Sequence, residues 1–353
     1  SRFAGSKDRA AVRDIVFDAV RKRRSCGAWP TGSTRLWVAR LLADAGTPHD
    51  QIFGNGPYGP IALTDREHAA LADNLPHQHN VPDWIDAEIR ASGAGLTDAP
   101  ADILAAYDLR APLFLRVNRR NATVAQVRED LSHDGIETET VLGLDWALKV
   151  TTHPRQVAQS RGFLGGQFEV QDASSQTAAE DIPIGGAVLD YCAGGGGKAL
   201  AFADRGAKVT AHDSSAARLA NVDDRIRRAG VTIAKAAPGS LTPHDTFDTV
   251  FCDVPCSGSG AWRRNPAAKW ALTPDDLASY GAVQRDIVTQ AMQHCRSGGY
   301  FVYATCSIFA AENTAQVAWA QGQCSNLTLL RDRQLSPVGG NGDGFYYAVF
   351  AVE

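Results

Sequence analysis

The sequence lacks any run of apolar residues as long as the roughly eighteen that a membrane span requires. Residues 1–14 have no apolar core behind a basic head, so they do not resemble a secretory signal. Internal repeats and low-complexity segments are also missing. With 353 residues, 44% hydrophobic and 21% charged, the composition is that of a globular protein with two or three domains.

The chain has no excess of positive charge, because its formal net charge is -4 at pH 7. Proteins that coat nucleic acid nonspecifically usually carry a large positive excess, so contacts with RNA are expected only from local basic patches. The alternative for each patch is an ordinary solvated face. The candidate patches are residues 21–24, then Arg116, Arg119 and Arg120, then Arg263, Arg264 and Lys269.

Cysteine pairs of the C-x-x-C type are absent, and the seven cysteines are odd in number. Neither a disulfide framework nor a zinc site is expected, and no metal is assigned. This cysteine usage fits a reducing cytoplasm. The useful question is therefore which of the thiols is reactive.

The first part of the chain is predicted to be helical, because apolar residues recur there on a 3.6-residue period. A strand and a following helix then indicate a small α+β unit. The predicted helices cover residues 8–24, 35–45, 82–91 and 123–134, the loop covers residues 54–60, and the strand covers residues 112–117.

From about residue 185 strands and helices alternate, which is typical of a mainly parallel sheet with right-handed crossovers. Thr273 followed by Pro274 marks the start of the longest helix. The predicted strands are residues 187–192, 208–211, 247–252, 300–304 and 345–352, and the predicted helices are residues 214–229 and 275–295.

A glycine run follows the first of these strands, in the sequence DYCAGGGGK of residues 190–198. Glycines let backbone amides approach a ligand closely, beside a helix N-terminus at the carboxyl end of a strand. Asp213, at the end of the next strand, is suited to the two hydroxyls of a ribose. The pattern predicts a nucleotide-like ligand, with a plain turn as the alternative.

Three classes of nucleotide ligand fit this topology to different degrees. A Walker loop requires glycine where Cys192 stands and Ser or Thr where Ala199 stands, so it is excluded. A dinucleotide fingerprint is met in part, with Ala199 in place of the last glycine, and stays open as a minor alternative. S-adenosylmethionine uses the same topology and brings no pyrophosphate.

Two cysteines follow buried strands, in DVPCSGSG of residues 253–260 and in YATCS of residues 303–307. Both are expected at the carboxyl edge of the sheet, where ligands bind in open α/β folds. The alternative is that they are buried structural thiols, since cysteine often packs as a small apolar residue. That interpretation is adopted for the thiols of Cys192, Cys252, Cys295 and Cys324.

Paired thiols suit the methylation of a pyrimidine ring. A thiolate that adds to carbon 6 of cytosine turns carbon 5 into a nucleophile, which divides one hard step into easier ones. A free cysteine, with a pKa of about 8.5, is mostly protonated at neutral pH, so the site must favour the thiolate. Asp253 is suited to hydrogen bonding at ring nitrogen 3, and Cys256 is suited to assisting product release. Lys198 is suited to organising the site electrostatically.

At these motifs the chain resembles the Sun/Fmu group of RNA cytosine-5 methyltransferases, the RsmB-like members of the NOP2/Sun family. The resemblance covers nearly the whole chain and is strongest over residues 171–317. It implies a Rossmann-like S-adenosylmethionine methyltransferase core with a mainly parallel seven-stranded sheet. The matching pieces are residues 170–174, DYCAGGGGK, Asp213, DVPCSGSG, residues 263–266, Lys269 with Trp270, YATCS, residues 312–313 and residues 342–345.

The resemblance also implies roles for individual residues. Cys306 is then the nucleophile and Cys256 assists product release. The family normally holds the adenine amino group with an Asp near residue 235, whereas residues 235–238 read Lys-Ala-Ala-Pro here. The positions that correspond to the cofactor site are Cys192, Ala193, Gly194, Gly195, Gly196, Gly197, Lys198, Asp213 and Asp253.

The domain organisation implied by the resemblance has three parts. A shortened helical NusB-like RNA-binding domain covers residues 1–75. A linker helix and a small α+β RNA-contacting subdomain cover residues 76–165. The methyltransferase catalytic domain covers residues 166–353.

The sequence therefore predicts a cytoplasmic S-adenosylmethionine-dependent enzyme that methylates carbon 5 of a cytosine in RNA. Small-subunit (16S) ribosomal RNA is the expected substrate, a monomer is the expected state, and neither a membrane nor a metal is expected as a partner. The alternative is a noncatalytic RNA-binding or ribosome-assembly protein on a degenerate methyltransferase core.

Overall fold

A computed structural model of the chain describes residues 5–27, 33–57, 59–72, 79–340 and 342–353. In these ranges no helix combines the length and hydropathy of a membrane span. The same ranges contain no group of three or more His, Cys, Asp or Glu side chains arranged to hold a metal ion.

Within the described ranges, the first elements are helices and the first strand begins at residue 113. The helices are α1 (Ser6–Arg21), α2 (Thr34–Asp44), α3 (Asp65–Ala72), α4 (Asp83–Ala91), α5 (Pro100–Ala106), α6 (Val124–His133), α7 (Arg161–Leu164), α8 (Ala173–Asp181), α9 (Gly197–Asp204), α10 (Ala216–Ala220), α11 (Val222–Ala229), α12 (Ala268–Ala271), α13 (Pro274–Met292) and α14 (Thr314–Gln323). The strands are β1 (Leu113–Val117), β2 (Thr138–Val141), β3 (Leu144–Val150), β4 (Phe168–Val170), β5 (Ala187–Asp190), β6 (Lys208–His212), β7 (Ile233–Ala236), β8 (Phe247–Asp253), β9 (Cys295–Thr305), β10 (Leu327–Leu335) and β11 (Phe345–Val352).

Several predicted helices differ from the structure in extent. The helix predicted over residues 214–229 is two helices, α10 and α11, which meet at Asn221. The helix predicted over residues 8–24 ends at Arg21, after which the amide of Lys22 donates to the carbonyl of Asp18 and the chain turns.

Helix α13 begins where the sequence predicts. The Thr273 hydroxyl accepts a hydrogen bond from the amide of Asp276, and Pro274 occupies the first turn, where a missing amide proton costs nothing. The helix ends at Met292 rather than at residue 295, because Cys295 already belongs to β9.

The chain divides into two compact units, of which the first is helical. It combines three separate stretches, Ser1–Ala87, Ala101–Arg110 and Trp262–Ala271. The last stretch contains α12, and its side chains bond to α1: Lys269 Nζ donates to the carbonyl of Arg21 at 2.9 Å, and Trp270 Nε1 donates to the carbonyl of Val20 at 2.7 Å. These donors satisfy carbonyls at the helix end that have no partner within the helix.

The second unit contains two sheets, of which the smaller has the order β2-β3-β1-β4 and is antiparallel. Leu115, Val117, Leu148 and Phe168 of this sheet pack with α6 in one apolar core. Strand β4 pairs with β1 and lies beyond residue 165. The predicted domain boundaries remain predictions.

The larger sheet has seven strands in the order β10-β11-β9-β8-β5-β6-β7. Strands β5 to β9 are parallel, and β11 runs antiparallel to both β9 and β10. The predicted mainly parallel seven-stranded core is therefore confirmed. The order reverses at β5, whose neighbours are β6 and β8, and ligands of such sheets bind beyond the carboxyl ends of the strands at this switch point.

Candidate active site

A cavity of about 790 Å³ opens at the carboxyl ends of β5, β6 and β8. Its volume lies within the range of roughly 300–1,000 Å³ that is usual for small-molecule sites. The lining includes most of the glycine loop, three Asp side chains, Lys198 and the cysteines of both motifs. The predicted site residues of the catalytic core thus meet at one place.

The glycine loop of residues 193–197 takes its shape from two left-handed residues, Gly194 at φ 53° and Gly196 at φ 77°. A Cβ atom at Gly196 would lie 2.6 Å from Val222 Cγ1, so both the backbone and the packing require glycine there. The loop leads into α9, and the amides in the first turn of a helix have no acceptors within it. The amides of Ala193, Gly194 and Gly196 already donate within the protein, so the donors that the loop offers to a polar or anionic ligand group are its other amides.

Asp213 follows β6 directly and is only 1% exposed, at the wall of the cavity. Its Oδ2 accepts from the amide of Gly194 at 2.9 Å, and its Oδ1 accepts from the amide of Ser215 at 2.7 Å. Arg218 Nη2 adds an ion pair to Oδ1 at 2.8 Å. The carboxylate thus ties the glycine loop to the end of β6.

Asp190 ends β5, is buried and also lines the cavity. Among the described residues, no side chain hydrogen-bonds its carboxyl oxygens. Burial raises the pKa of Asp190 to about 7, although the charge of Lys198 acts in the opposite direction. A buried carboxyl group without a side-chain partner suits a positively charged ligand group.

Lys198 and Asp253 form an ion pair in the cavity wall, with Nζ 2.5 Å from Oδ2. Burial disfavours the ammonium, but the charge of Asp253, its hydrogen bond and the charges of neighbouring groups together outweigh burial, so the pKa of Lys198 is raised. Cys306 is one of the groups whose negative charge contributes to this rise. A permanent positive charge therefore lies within electrostatic reach of the Cys306 thiol.

The thiols of Cys256 and Cys306 lie together, with 3.4 Å between the two Sγ atoms. A hydrogen bond to Cys306 and burial raise the pKa of Cys256 well above its usual range. The two thiols are therefore close enough to share a hydrogen bond. The two motif loops are also joined through the backbone, because the amide of Gly260 donates to the carbonyl of Cys306 at 2.9 Å.

Glu312, which is fully buried, connects the two cysteine loops through the serine that follows each cysteine. Its Oε1 accepts from the amide of Ser257 at 2.8 Å and from Gln284 Nε2 at 3.1 Å. Its Oε2 accepts from Ser257 Oγ at 2.5 Å and from Ser307 Oγ at 2.6 Å. One carboxylate thus anchors both loops.

Known proteins are similar to the chain over most of its length. The profile of the family described as 16S rRNA methyltransferase RsmB/F matches residues 183–351, and that of the RsmF/B-like ferredoxin-like domain matches residues 81–157. The ribosomal RNA small subunit methyltransferase B of Serratia proteamaculans is 33% identical over 310 residues, which are 83% of this chain and 71% of that protein. The chain belongs to the RsmB/F methyltransferase family.

A second RsmB/F relative, the ribosomal RNA small subunit methyltransferase B of Vibrio cholerae, is 34% identical over 266 residues. These residues are 71% of this chain and 61% of that protein. The chain therefore spans about three fifths of the length of that relative.

Two solved structures share the fold with this RsmB/F family member. The structure titled "Crystal Structure of PH0851" aligns with a TM-score of 0.76 at 21% identity, covering 99% of this chain and 91% of that one. NSun6 from Pyrococcus horikoshii, solved with SFG, aligns with a TM-score of 0.67 at 15% identity, covering 77% of this chain and 98% of that one.

Three of the five predicted RNA contacts of this family member are buried, which corrects the sequence prediction. Arg116 is 3% exposed and pairs with Asp204 Oδ2 at 3.0 Å. Arg263 and Lys269, at 2% and 0% exposed, lie within the helical unit. Their charged groups are taken up by internal packing, so they offer no surface to RNA.

The other two predicted RNA contacts differ from each other. Arg119 is half-buried, pairs with Glu180 and packs over the Trp146 ring at 5.1 Å from its centroid. Arg264 is exposed, and its contact with RNA stays a prediction.

Sequence reasoning missed the roles of Glu312 and of Glu169. Glu312 is the only charged residue among residues 308–317, which is the signal that marks it. Glu169 stands between two apolar residues of β4 and is 3% exposed, and its partners lie 56 and 59 residues away. No local sequence pattern predicts ion-pair partners at such distances along the chain.

Proposed function

We propose that this chain transfers a methyl group from S-adenosylmethionine to carbon 5 of a cytosine in RNA, with small-subunit ribosomal RNA as the substrate. Cys306 is the nucleophile, and Cys256 assists its departure. The observation that most directly supports this proposal is the pair of thiols, 3.4 Å apart, in the wall of the cavity that the glycine loop also lines.

The residues around the glycine loop fit this cofactor. When bound, S-adenosylmethionine supplies an electrophilic methyl group on a positively charged sulfur. The carboxyl group of Asp190 suits a cationic group, and Asp213 suits ribose hydroxyls. Those amides of the glycine loop that do not already donate within the protein suit the terminal carboxylate.

The first chemical step is the addition of Cys306 to the ring. In our proposal the Cys306 thiolate attacks carbon 6, and the Lys198 ammonium and the Cys256 S–H group stabilise the thiolate. Asp253 takes the ring edge at nitrogen 3, where a shared proton draws electrons away from carbon 6. Carbon 5 then becomes the nucleophile that accepts the methyl group.

The last step restores the ring. A base removes the proton from carbon 5, the double bond between carbons 5 and 6 re-forms, and the bond from carbon 6 to Cys306 breaks. Cys256 is assigned to this release, because its thiol is next to the departing sulfur and a hydrogen bond to that sulfur makes it a better leaving group.

The class of RNA substrate is proposed from the similarity to the RsmB/F relatives and from the chemistry of the thiol pair. The RsmB/F relatives carry names that specify ribosomal RNA of the small subunit. We propose the same class of substrate here, bound by a monomer in the cytoplasm. Exposed Arg264 is the predicted RNA contact that this proposal retains.

The test uses small-subunit ribosomal RNA, naked and in particles, with labelled S-adenosylmethionine. The expected result is label on carbon 5 of one cytosine, located by bisulfite sequencing. Cys306→Ala should reduce methyl transfer by about a thousandfold or more and form no covalent complex. Cys256→Ala should accumulate a protein–RNA adduct that survives denaturing electrophoresis.

Cys324→Ser is the matched control, since this half-buried thiol lies outside the cavity and should leave methyl transfer unchanged. RNA binding without any label would favour the alternative of a noncatalytic assembly protein. Product release by Cys256→Ala at the parental rate would overturn the assignment of the two thiols.

A further inference from the structure

Two carbonyls of the glycine loop accept hydrogen bonds from side chains. Arg225 Nη1 donates to the carbonyl of Gly195 at 2.5 Å. Gln171 Nε2 donates to the carbonyl of Gly197 at 3.2 Å. Both carbonyls belong to the segment whose amides face the cofactor in the proposed function, so these donors bear directly on the shape of the loop.

The arginine is held in turn by the four-stranded sheet. Glu169 of β4 accepts from Arg225 Nε at 3.2 Å and from Nη2 at 3.0 Å, both at Oε2. Arg228 Nη2 donates to the other carboxylate oxygen of Glu169, Oε1, at 2.5 Å. Since Glu169 is almost fully buried, these charge-assisted bonds fix the guanidinium with little competition from water.

The glutamine is part of a second connection to the same sheet. Gln171 Oε1 accepts from Arg116 Nε at 2.7 Å, and Arg116 Nη1 pairs with Asp204 Oδ2 at 3.0 Å. Gly197 begins α9 and Asp204 ends it. The four-stranded sheet therefore holds both ends of the helix that carries the glycine loop.

We propose that Arg225, Glu169 and Gln171 form a clamp of positioning residues that keeps the glycine loop in its cofactor-binding shape. A run of glycines has high conformational entropy when free, and a ligand that orders it binds more weakly. The clamp orders the loop beforehand, so the four-stranded subdomain sets cofactor affinity. This inference rests on the proposed S-adenosylmethionine-dependent function.

The experiment measures binding of S-adenosylhomocysteine to the full chain by calorimetry, without RNA. Arg225→Ala is expected to raise Kd about tenfold, as for the loss of one charge-assisted hydrogen bond, and to raise KM for S-adenosylmethionine with kcat nearly unchanged. Arg225→Lys keeps a charged donor and should give an intermediate Kd. Arg227→Ala is the control, because Arg227 lies on the same helix, is exposed and pairs with neighbouring Asp224.

A rescue distinguishes positioning of the loop from direct contact with the cofactor. Gly195 has no left-handed φ, and a Cβ there would sit 3.4 Å from Arg225 Nη1, so alanine is tolerated and stiffens the loop. Adding Gly195→Ala to Arg225→Ala should recover part of the lost affinity. Weak binding without recovery would mean that the arginine contacts the ligand itself, and the clamp would be wrong.

Two further outcomes separate this inference from the proposed function. If the parental protein binds S-adenosylhomocysteine and Arg225→Ala binds it with the same Kd, the clamp alone would be overturned. No binding of S-adenosylhomocysteine to the parental protein would overturn the proposed function as well. A melting curve for each variant identifies loss of fold, in which case Arg225→Lys decides the question.

Discussion

At the scale of single residues, the closeness of the two thiols depends on a carboxylate that hydrogen-bonds neither of them. Glu312 accepts hydrogen bonds from the serines that follow Cys256 and Cys306. Because its side chain is fully buried, water does not compete for these bonds. A buried network of this kind specifies one arrangement when every member is satisfied. It is costly when one acceptor is removed.

Glu312→Gln is expected to slow single-turnover methyl transfer about tenfold or more, with KM for RNA unchanged. Glutamine removes the negative charge that strengthens the bonds to Ser257 and Ser307. Its amide nitrogen must either face the donors at Oε1 or make the serine hydroxyls reverse their roles, so the network weakens and the loops separate. Quench-flow with labelled cofactor measures this step. The alkylation rate of Cys306 by iodoacetamide, which should change in parallel, reports on the thiol itself.

The control for this variant is Glu139→Gln, which removes an exposed carboxylate paired with Lys149. It should leave both rates unchanged. If Glu312→Gln methylated at the parental rate with unchanged alkylation, the separation of the thiols would be set by the backbone alone.

At the scale of elements, α13 supports the same network through Gln284. Its Gln284 donates to Glu312 and to the carbonyl of Pro255, and Tyr303 of β9 donates to Gln284 at 3.2 Å. The start of the helix is fixed by the Thr273 cap. The stability of this element therefore bears on the cysteine loops.

Thr273→Ala should lower the free energy of unfolding by about 1 kcal/mol, as for the loss of a helix cap. Urea denaturation followed by circular dichroism measures the change. Ser279→Ala is the control, since its hydroxyl only donates to a carbonyl within the helix and the site is exposed. Equal changes in the free energy of unfolding for the two substitutions would mean that the Thr273 cap does not stabilise the helix.

At the scale of the whole molecule, the stretch Trp262–Ala271 follows the first cysteine loop in the chain but belongs to the helical unit. Lys269 is the centre of its attachment to α1. Burial lowers the pKa of Lys269 to about 8. Between about pH 8 and the usual lysine pKa of about 10.4, the unfolded chain holds a proton that the folded chain has released, so raising the pH favours folding.

Lys269→Met should remove this pH dependence. The parental protein should gain about 1–2 kcal/mol of unfolding free energy between pH 8 and pH 10 relative to the variant, measured by urea denaturation at both values. Lys208→Met, at an exposed position, should follow the parental curve. Parallel curves for the parental protein and Lys269→Met would show that this lysine keeps its proton when folded.

The sequence alone predicted the parallel core, the glycine loop and the placement of both cysteine motifs. These features depend on local periodicity and on short motifs that follow strand ends, and strand ends meet at one edge of a parallel sheet. Strands β2, β3, β4, β7 and β10 were not predicted. Much of β2 and of β10 is exposed, and neither shows a strong apolar alternation. For them, pairing with neighbouring strands decides the structure.

Only the tertiary structure decided which charges are internal. Arg116 meets Asp204 across 88 residues of chain, Arg225 meets Glu169 across 56, and Lys269 meets the carbonyl of Arg21 across 248. A basic residue on the surface and one in a buried ion pair have the same local sequence pattern. The difference is the desolvation and pairing that arise when distant segments pack together, and this turned predicted RNA contacts into structural bonds.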